Sequence, residues 1–272
     1  MLKVWDVRHL DKHGSPKLLV TGRVQHGSRP HPASTFAVTP SLSHAAVGLA
    51  DGTVLLLRHL DQTVIAGAAS SSPVGLPKIR VAHTSTDPVT GLGFALFPSD
   101  GPTRASTRLY IVTTAKVLAL IVAGSSSSSS TPTVLDDIGG GLNCATVDAQ
   151  GRLILARDEA IYAYGREGRE NTVAYEGAKH SVVAYSSYLV IASPPAVPAA
   201  ASASATVRNY AATRTNGLGH DVARLGIFDL ALNIVAHSTV FEEGVRDIWT
   251  DARGVCVLAN DGKVRRRCER LS

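Results

Sequence analysis

AAVGLADGTVLLL, residues 45–57, sets a run of small apolar residues against a second apolar run across an Asp-Gly turn. Glycine tolerates the positive φ that a tight turn between twisted strands imposes, so the segment predicts a β-hairpin. Two further segments repeat the design, CATVDAQGRLILA at residues 144–156 and VCVLANDGKV at residues 255–264. A lone hairpin cannot bury its apolar face. Recurring hairpins therefore predict sheets packed side by side, like the blades of a β-propeller.

The length of the chain agrees with this architecture. Its 272 residues correspond to about six blades at roughly 40–45 residues each, and about five to six blades are expected. The fold predicted is all-β, an incomplete WD40-like β-propeller with no substantial helix, formed as a single domain over residues 1–272. The chain opens inside an alternating strand at residues 2–7, which contains the dipeptide Trp5-Asp6. A chain that starts within a blade is expected to lack upstream blades.

Other apolar or alternating segments predict the remaining strands. They lie at residues 18–20, 34–38, 89–94, 109–114, 116–122, 160–164, 172–175, 182–184, 188–192, 224–230, 234–238 and 245–250. Three low-complexity loops are expected between them, near residues 68–77, 124–133 and 194–219, because Ser-, Ala- and Pro-rich composition cannot offset the entropy of ordering. The serines at 125–130 fit either a plain surface loop or a phosphorylated regulatory one.

The positive charge of the chain is concentrated at its end. The formal net charge is +5, and the last ten residues carry five basic side chains and one acidic one. The body is therefore close to neutral, which argues against a nucleic-acid partner. The basic tail could hold phosphate, but no aromatic residue interleaves with its arginines as base stacking would require. A solvated strand end is the preferred interpretation.

Cysteine usage favours a reducing, cytosolic setting. Cys144, Cys256 and Cys268 are odd in number and widely spaced, so a disulfide framework is not expected. The chain shows no apolar signal segment, and its longest apolar run, residues 117–123, has the length of a buried strand. Any membrane association is expected to be peripheral.

A search for chemistry predicts no catalytic, cofactor-binding or metal-binding residue and no cofactor. The adjacent acidic pairs at 136–137, 158–159 and 242–243 would point to opposite faces of a strand and would not converge on a substrate. His26 and His31 share a Pro-rich loop without further ligands. The glycines at 91–93 and 139–141 do not open a helix as a phosphate cradle requires, so both are interpreted as strand-entry turns.

Short segments spread along nearly the whole chain match one family in the same order. The chain thereby resembles vacuolar protein sorting-associated protein 11, a core subunit shared by the HOPS and CORVET tethering complexes. The matching segments are KVWDV (3–7), DKHG (11–14), AVGLADGTV (46–54), PVTGLGF (88–94), LYIVTT (109–114), ARDEAIYAY (156–164), AYEG (174–177), YLVI (188–191), FDL (228–230), IVAHSTVFEEGVRD (234–247) and DGKV (261–264). Family members continue into an α-helical solenoid and a zinc-binding RING, for which this chain has no counterpart. The residues from 265 onward depart from the family pattern.

The resemblance implies a non-enzymatic scaffold: the N-terminal propeller of a tether that acts in vesicle docking, membrane fusion and protein transport to the vacuole or lysosome. The expected partners are other HOPS and CORVET subunits and endolysosomal small GTPases or their effectors. The expected location is cytoplasmic, peripheral on late endosomal or vacuolar membranes through the complex. Two alternatives stay open: a generic WD-like adaptor in another coat or ubiquitin-ligase assembly, and a propeller enzyme.

Overall fold

The computed structural model describes residues 1–10, 12–27, 31–97, 106–123, 131–194, 222–251 and 254–267. Almost all its regular structure is β. The strands are β1 Leu2–Leu10, β2 Pro16–Gly22, β3 Ala33–Val38, β4 His44–Leu49, β5 Val54–Arg58, β6 Ile79–His83, β7 Val89–Phe97, β8 Ser106–Thr113, β9 Val117–Ala123, β10 Thr133–Asp136, β11 Ala145–Val147, β12 Leu153–Ala156, β13 Ala160–Tyr164, β14 Arg169–Ala174, β15 Ser181–Tyr185, β16 Tyr188–Ser193, β17 Ala223–Asp229, β18 Ile234–Phe241, β19 Val245–Asp251, β20 Gly254–Ala259 and β21 Val264–Arg267.

Each sheet is an antiparallel meander in which neighbours in sequence are neighbours in space. Four sheets have four strands, β3–β6, β7–β10, β11–β14 and β15–β18; β19–β21 has three strands and β1–β2 has two. Consecutive four-stranded meanders are the blades of a WD40-like propeller, so the all-β fold class is confirmed. The division into a single domain over residues 1–272 stays a prediction.

The chain falls into two compact units, Met1–Gly139 and Gly140–Ser272. In the first unit, strands β4 and β5 are buried on both faces. Ala46 and Leu56 pack toward β7–β9, whereas Ala45 and Leu57 pack toward Leu60 and the β1–β2 side. Burial on both faces explains why the segment that opens the sequence argument is a continuous apolar run rather than an alternating one.

The second unit has two layers of apolar packing. Sheet β11–β14 packs against sheet β15–β18 through Ile154, Ile161, Leu189 and Phe228. Sheet β15–β18 packs in turn against β19–β21. The buried residues of each interface are mostly aliphatic, with Phe228 in the first and Phe241 in the second. Strand β14 is different, because most of its residues are exposed.

The three predicted hairpin turns form at the predicted glycines. Gly52, Gly151 and Gly262 have φ values of 87°, 78° and 79°, the left-handed region that favours glycine. In each turn an aspartate accepts the backbone N–H two residues on; for Asp51, the Thr53 N lies 3.0 Å from Oδ1. The turns at Gly52 and Gly262 join the second and third strands of a sheet. The turn at Gly151 joins the first and second.

One short helix, α1 Leu60–Ala69, was not predicted. It occupies the connection between β5 and β6 and runs into the loop predicted near residues 68–77. Its first turn has no side-chain cap, because His59 at the N-cap is left-handed and makes no capping bond. Its last turn is capped from a distance, because Lys17 Nζ donates to the carbonyls of Ala68 and Ser70 at 2.8 Å. Such bonds satisfy carbonyls that a helix end leaves open.

Two outer strands, β6 and β10, were also missed. Both lie at the edge of their sheet, and both alternate weakly, so neither carries the apolar run that identified the inner strands. The strand predicted at residues 116–122 is confirmed as β9, Val117–Ala123. The serine run at 125–130 and the segment 195–219 lie outside the described residues, whereas Ser70–Ser72 follow directly on α1.

Candidate functional site

One carboxylate of each acidic pair singled out in the sequence is held by a local contact. Asp136 Oδ1 accepts the Ile138 N–H at 3.0 Å, Glu159 Oε1 accepts the Tyr162 hydroxyl at 2.8 Å, and Glu243 pairs with Arg265 at 2.6 Å. The hydrogen bond from Tyr162 lowers the pKa of Glu159. Each carboxylate is used by its own turn or by a neighbouring strand. The expectation that these pairs do not act together on a substrate stays a prediction.

The histidines and the glycine motifs singled out in the sequence also lie in different local surroundings. His31 Nε2 lies 3.4 Å from Asp51 Oδ2, at the β4–β5 turn, whereas His26 is exposed. Gly91 and Gly93 lie inside strand β7, so their interpretation as a strand-entry turn was wrong. The glycines at 139–141 do precede strand β11. Among the described residues, no group of three or more His, Cys, Asp or Glu side chains could hold a metal ion.

The basic end of the chain forms strand β21, and much of its charge is paired. Arg266 Nη2 contacts Asp251 Oδ2 at 2.5 Å, and Arg265 contacts Glu243. Lys263 lies 3.4 Å from Asp261 in the preceding turn. This pairing agrees with a solvated strand end rather than a phosphate-binding surface. Residues 268–272 lie outside the described part of the chain.

A buried lysine in the second unit was not found from the sequence. Lys179 is 7% exposed, and its ammonium donates to the backbone carbonyls of Arg157, Asp158 and Tyr175. It also lies 5.1 Å from the centre of the Tyr175 ring. Burial lowers the pKa of this lysine. The side chain fastens the turn between β12 and β13 to the connection that follows β14.

The Lys179 contacts extend to two further buried groups. The Cys144 thiol donates to the Lys179 carbonyl at 3.3 Å, and burial raises the pKa of that thiol to about 11. Arg157 donates to the Tyr164 hydroxyl at 3.2 Å and stacks 4.5 Å from the centre of the Tyr162 ring. A neutral thiol is a poor nucleophile. We therefore assign this cluster a structural role within the sheet.

A cleft opens between sheets β11–β14 and β15–β18, on the described surface of the second unit. Ile154, Ile161 and Ala163 form one wall and Phe228 and Leu230 form the other, with Val173 at the β14 side. The wall residues belong to the apolar core shared by these two sheets. Three polar side chains, Arg152, Asn171 and Asn233, also line the cleft. No sequence motif marked it, because its residues come from four separate segments.

The described residues contain no helix long and apolar enough to cross a membrane. The sheets define the chain as a WD40-like β-propeller protein, with α1 as its helical element in the described part. A comparison with protein families then identifies the group. The family described as PEP5/VPS11 N-terminal matches residues 1–269, and the chain belongs to that family.

Individual relatives agree with this assignment. The Homo sapiens vacuolar protein sorting-associated protein 11 homolog is 30% identical over 268 residues, which is 97% of this chain and 25% of that protein. The Dictyostelium discoideum homolog is 29% identical over 191 residues, covering 70% of this chain and 18% of that protein. The chain thus spans about a quarter or less of the length of these relatives.

Two solved structures are similar at a TM-score of 0.48. The crystal structure of BBS1N in complex with ARL6DN, soaked with mercury, is 10% identical and is matched over 85% of this chain and 62% of that one. The tricorn protease is 11% identical, with 85% of this chain and 24% of that chain covered. Likenesses this weak say nothing about function.

Proposed function

We propose that the chain is a non-enzymatic interaction module, the propeller of a tethering subunit that acts in vacuolar protein sorting. The observation that supports this proposal is the family match over residues 1–269. The fold agrees with it, because short loops on packed sheets supply recognition surfaces on a rigid scaffold. A generic WD-like adaptor in another assembly is not favoured, since the family match covers nearly the whole chain.

The finer role we propose is in the HOPS and CORVET complexes, in vesicle docking and fusion and in transport to the vacuole or lysosome. The proposed partners are the other subunits of these complexes and endolysosomal small GTPases or their effectors. Attachment to late endosomal or vacuolar membranes would then be peripheral and would come through the complex. The proposal includes no nucleic-acid partner, in agreement with the ion pairs formed by strand β21.

Affinity purification of the protein, tagged at its own chromosomal locus, tests this function. Quantitative mass spectrometry is expected to recover the other tether subunits at near-equal amounts. A tagged β-propeller protein from an unrelated assembly, at matched expression, is the control. Recovery of intact protein without any tether subunit would refute the proposal. Stoichiometric recovery of a ubiquitin-ligase or coat assembly instead would support the adaptor alternative.

A further inference from the structure

We propose that the open edge of strand β1 binds an extended segment of a partner protein in which aliphatic and acidic side chains alternate. The bound segment extends sheet β1–β2 and covers exposed apolar residues of β3. The proposal deepens the function above by naming a class of partner, and it rests on that function only in treating the chain as an interaction module. Three features support it: an unpaired strand edge, an uncovered apolar surface and a local excess of positive charge.

Sheet β1–β2 is open on one side only. Its β2 side is closed, because the Thr21 N–H donates to the Val74 carbonyl and the Val74 N–H donates to the Leu19 carbonyl, both at 3.0 Å. Among the described residues, β1 pairs with β2 alone, and the sheet has two strands where four other sheets have four. The backbone groups along the other side of β1 can therefore pair with an added strand.

The open edge of β1 faces the β3 side of the neighbouring sheet. Sheet β1–β2 packs on the face of sheet β3–β6 that carries Leu57 and Ile79. Within this layer β2 lies toward β6, because a Cβ at Gly22 would lie 2.7 Å from Cγ of Leu76, just before β6. Strand β1 is therefore nearer to β3, and a strand added beside β1 lies over β3.

Strand β3 presents uncovered apolar side chains at this position. Phe36 and Val38 are 49% and 40% exposed. They stand opposite Val47 and Ala45 in the register of β3 with β4, and these two neighbours are buried in the core shared with β1. The same face is thus covered at β4 and open at β3. Aliphatic side chains of an added strand would continue this core over β3.

The two faces of β1 determine the alternation of the bound segment. Leu2 and Val4 pack against the core, so the alternate residues Lys3 and Trp5 point the other way and are exposed. Lys3 Nζ lies 5.8 Å from the centre of the Trp5 ring and forms no ion pair with a described residue. A bound strand therefore places aliphatic side chains over β3 and acidic ones beside Lys3.

The surroundings of β1 carry an excess of positive charge. Residues 1–27 contain five basic and two acidic side chains, whereas residues 28–262 contain 17 basic and 19 acidic ones. The carboxylate of β1, Asp6, is held by the His9 ring at 2.8 Å, and Lys12 is exposed in the following turn. This charge complements an acidic segment and disfavours a second copy of the same basic strand.

The test uses the full 272-residue chain with Trp249→Phe, which leaves Trp5 as its one tryptophan. The ligand is an acetylated, amidated nonapeptide that alternates glutamate and valine. We expect saturable changes in Trp5 fluorescence and slower hydrogen exchange across residues 2–7. Peptides with lysine in place of glutamate, or serine in place of valine, are expected to bind at least about tenfold more weakly.

A charge swap tests the role of Lys3. Lys3→Glu is expected to weaken binding of the glutamate peptide at least about fivefold and to bind the lysine peptide more tightly than the parent chain does. Lys116→Glu is the matched control, because Lys116 is exposed at the β8–β9 turn, and it should leave both affinities unchanged. Tighter binding of the lysine peptide also shows that the Lys3→Glu chain is folded.

A second pair of variants tests the apolar surface on β3. Val38→Ser is expected to weaken binding of the glutamate peptide at least about fivefold. Val81→Ser is the matched control, because Val81 is 47% exposed on the same face, at the opposite edge of the sheet. It should leave the affinity unchanged. Circular dichroism confirms that the two variants are equally folded.

Several results would overturn the proposal. They are the absence of saturable binding, slower exchange confined to strands other than β1, equal binding of the lysine peptide to the parent chain, and equal weakening by the two serine variants. Self-association of the chain that protects β1 without peptide would assign the edge to a second copy and would also refute it. None of these outcomes bears on recovery of the tether subunits, so the two proposals fail separately.

Discussion

Replacing Gly67 with alanine separates helix propensity from tertiary packing in helix α1. A Cβ at Gly67 would lie 2.3 Å from the carbonyl oxygen of Leu19 and 2.9 Å from its carbonyl carbon. That carbonyl cannot rotate away easily, because it accepts the Val74 N–H at 3.0 Å. Since carbon contacts are optimal at about 3.5–4.0 Å, the helix would have to move outward by about 1 Å.

The Gly67→Ala substitution changes stability in two ways, through helix propensity and through packing, and the two contributions have opposite signs. Alanine is favoured over glycine in a helix by about 1 kcal/mol. Forcing a methyl group into packed backbone costs about 1–3 kcal/mol. A helix displaced from β2 would also strain the contacts of Lys17 with the last turn and of Leu60 with the core. We therefore expect Gly67→Ala to destabilise the first unit by about 1–2 kcal/mol net.

Urea unfolding followed by Trp5 fluorescence measures this change. Trp5 lies on β1 in the first unit, and Trp249→Phe removes the other tryptophan of the chain. Ala66→Gly is the matched control, since Ala66 is exposed and the change should cost about 0.5–1 kcal/mol through propensity alone. A neutral or stabilising Gly67→Ala would refute the close seating of α1 on β2.

Two further predictions concern titratable groups. Burial lowers the pKa of His83, and its Nε2 is buried without a hydrogen-bond partner among the described residues. The unfolded chain therefore takes up the proton first as the pH falls below about 6.5, and stability is lost on acidification. His83→Gln should reduce this loss between about pH 7 and pH 5, measured by urea unfolding, and His26→Gln, at an exposed site, should not. Cys144, with its pKa raised by burial to about 11, should resist iodoacetamide in the native protein and react on unfolding; peptide mapping that finds rapid native labelling would contradict this.

The sequence predicted the inner strands well because their burial is visible in their composition. Strands β5, β12 and β13 are buried almost throughout, so each appears as an apolar run. In helix α1, Leu60, Val64 and Gly67 are spaced so that they lie on one face of the helix. Glycine takes the place of a large apolar residue there, because the helix must approach β2 closely. The buried face of the helix therefore shows only a weak apolar pattern in the sequence.

The buried lysine shows a different limit of sequence reasoning. Its acceptors are three backbone carbonyls, and every residue has a backbone carbonyl. No residue type near Lys179 therefore distinguishes it from a solvated lysine in a polar loop. The cleft has the same property, since its walls combine β12, β13 and β14 with β17. Only the packing of two sheets brings these segments together.

The hairpin motif carries a related ambiguity. The turn at Gly52 lies between two strands buried on both faces, whereas the strand before Gly151, β11, is only partly buried. The same turn chemistry thus serves the middle of one sheet and the inner edge of another. What distinguishes the two is the burial of the strand that precedes the turn. Motif spacing alone consequently locates these three hairpins but does not give their position within a blade, and it does not identify outer strands such as β6 and β10.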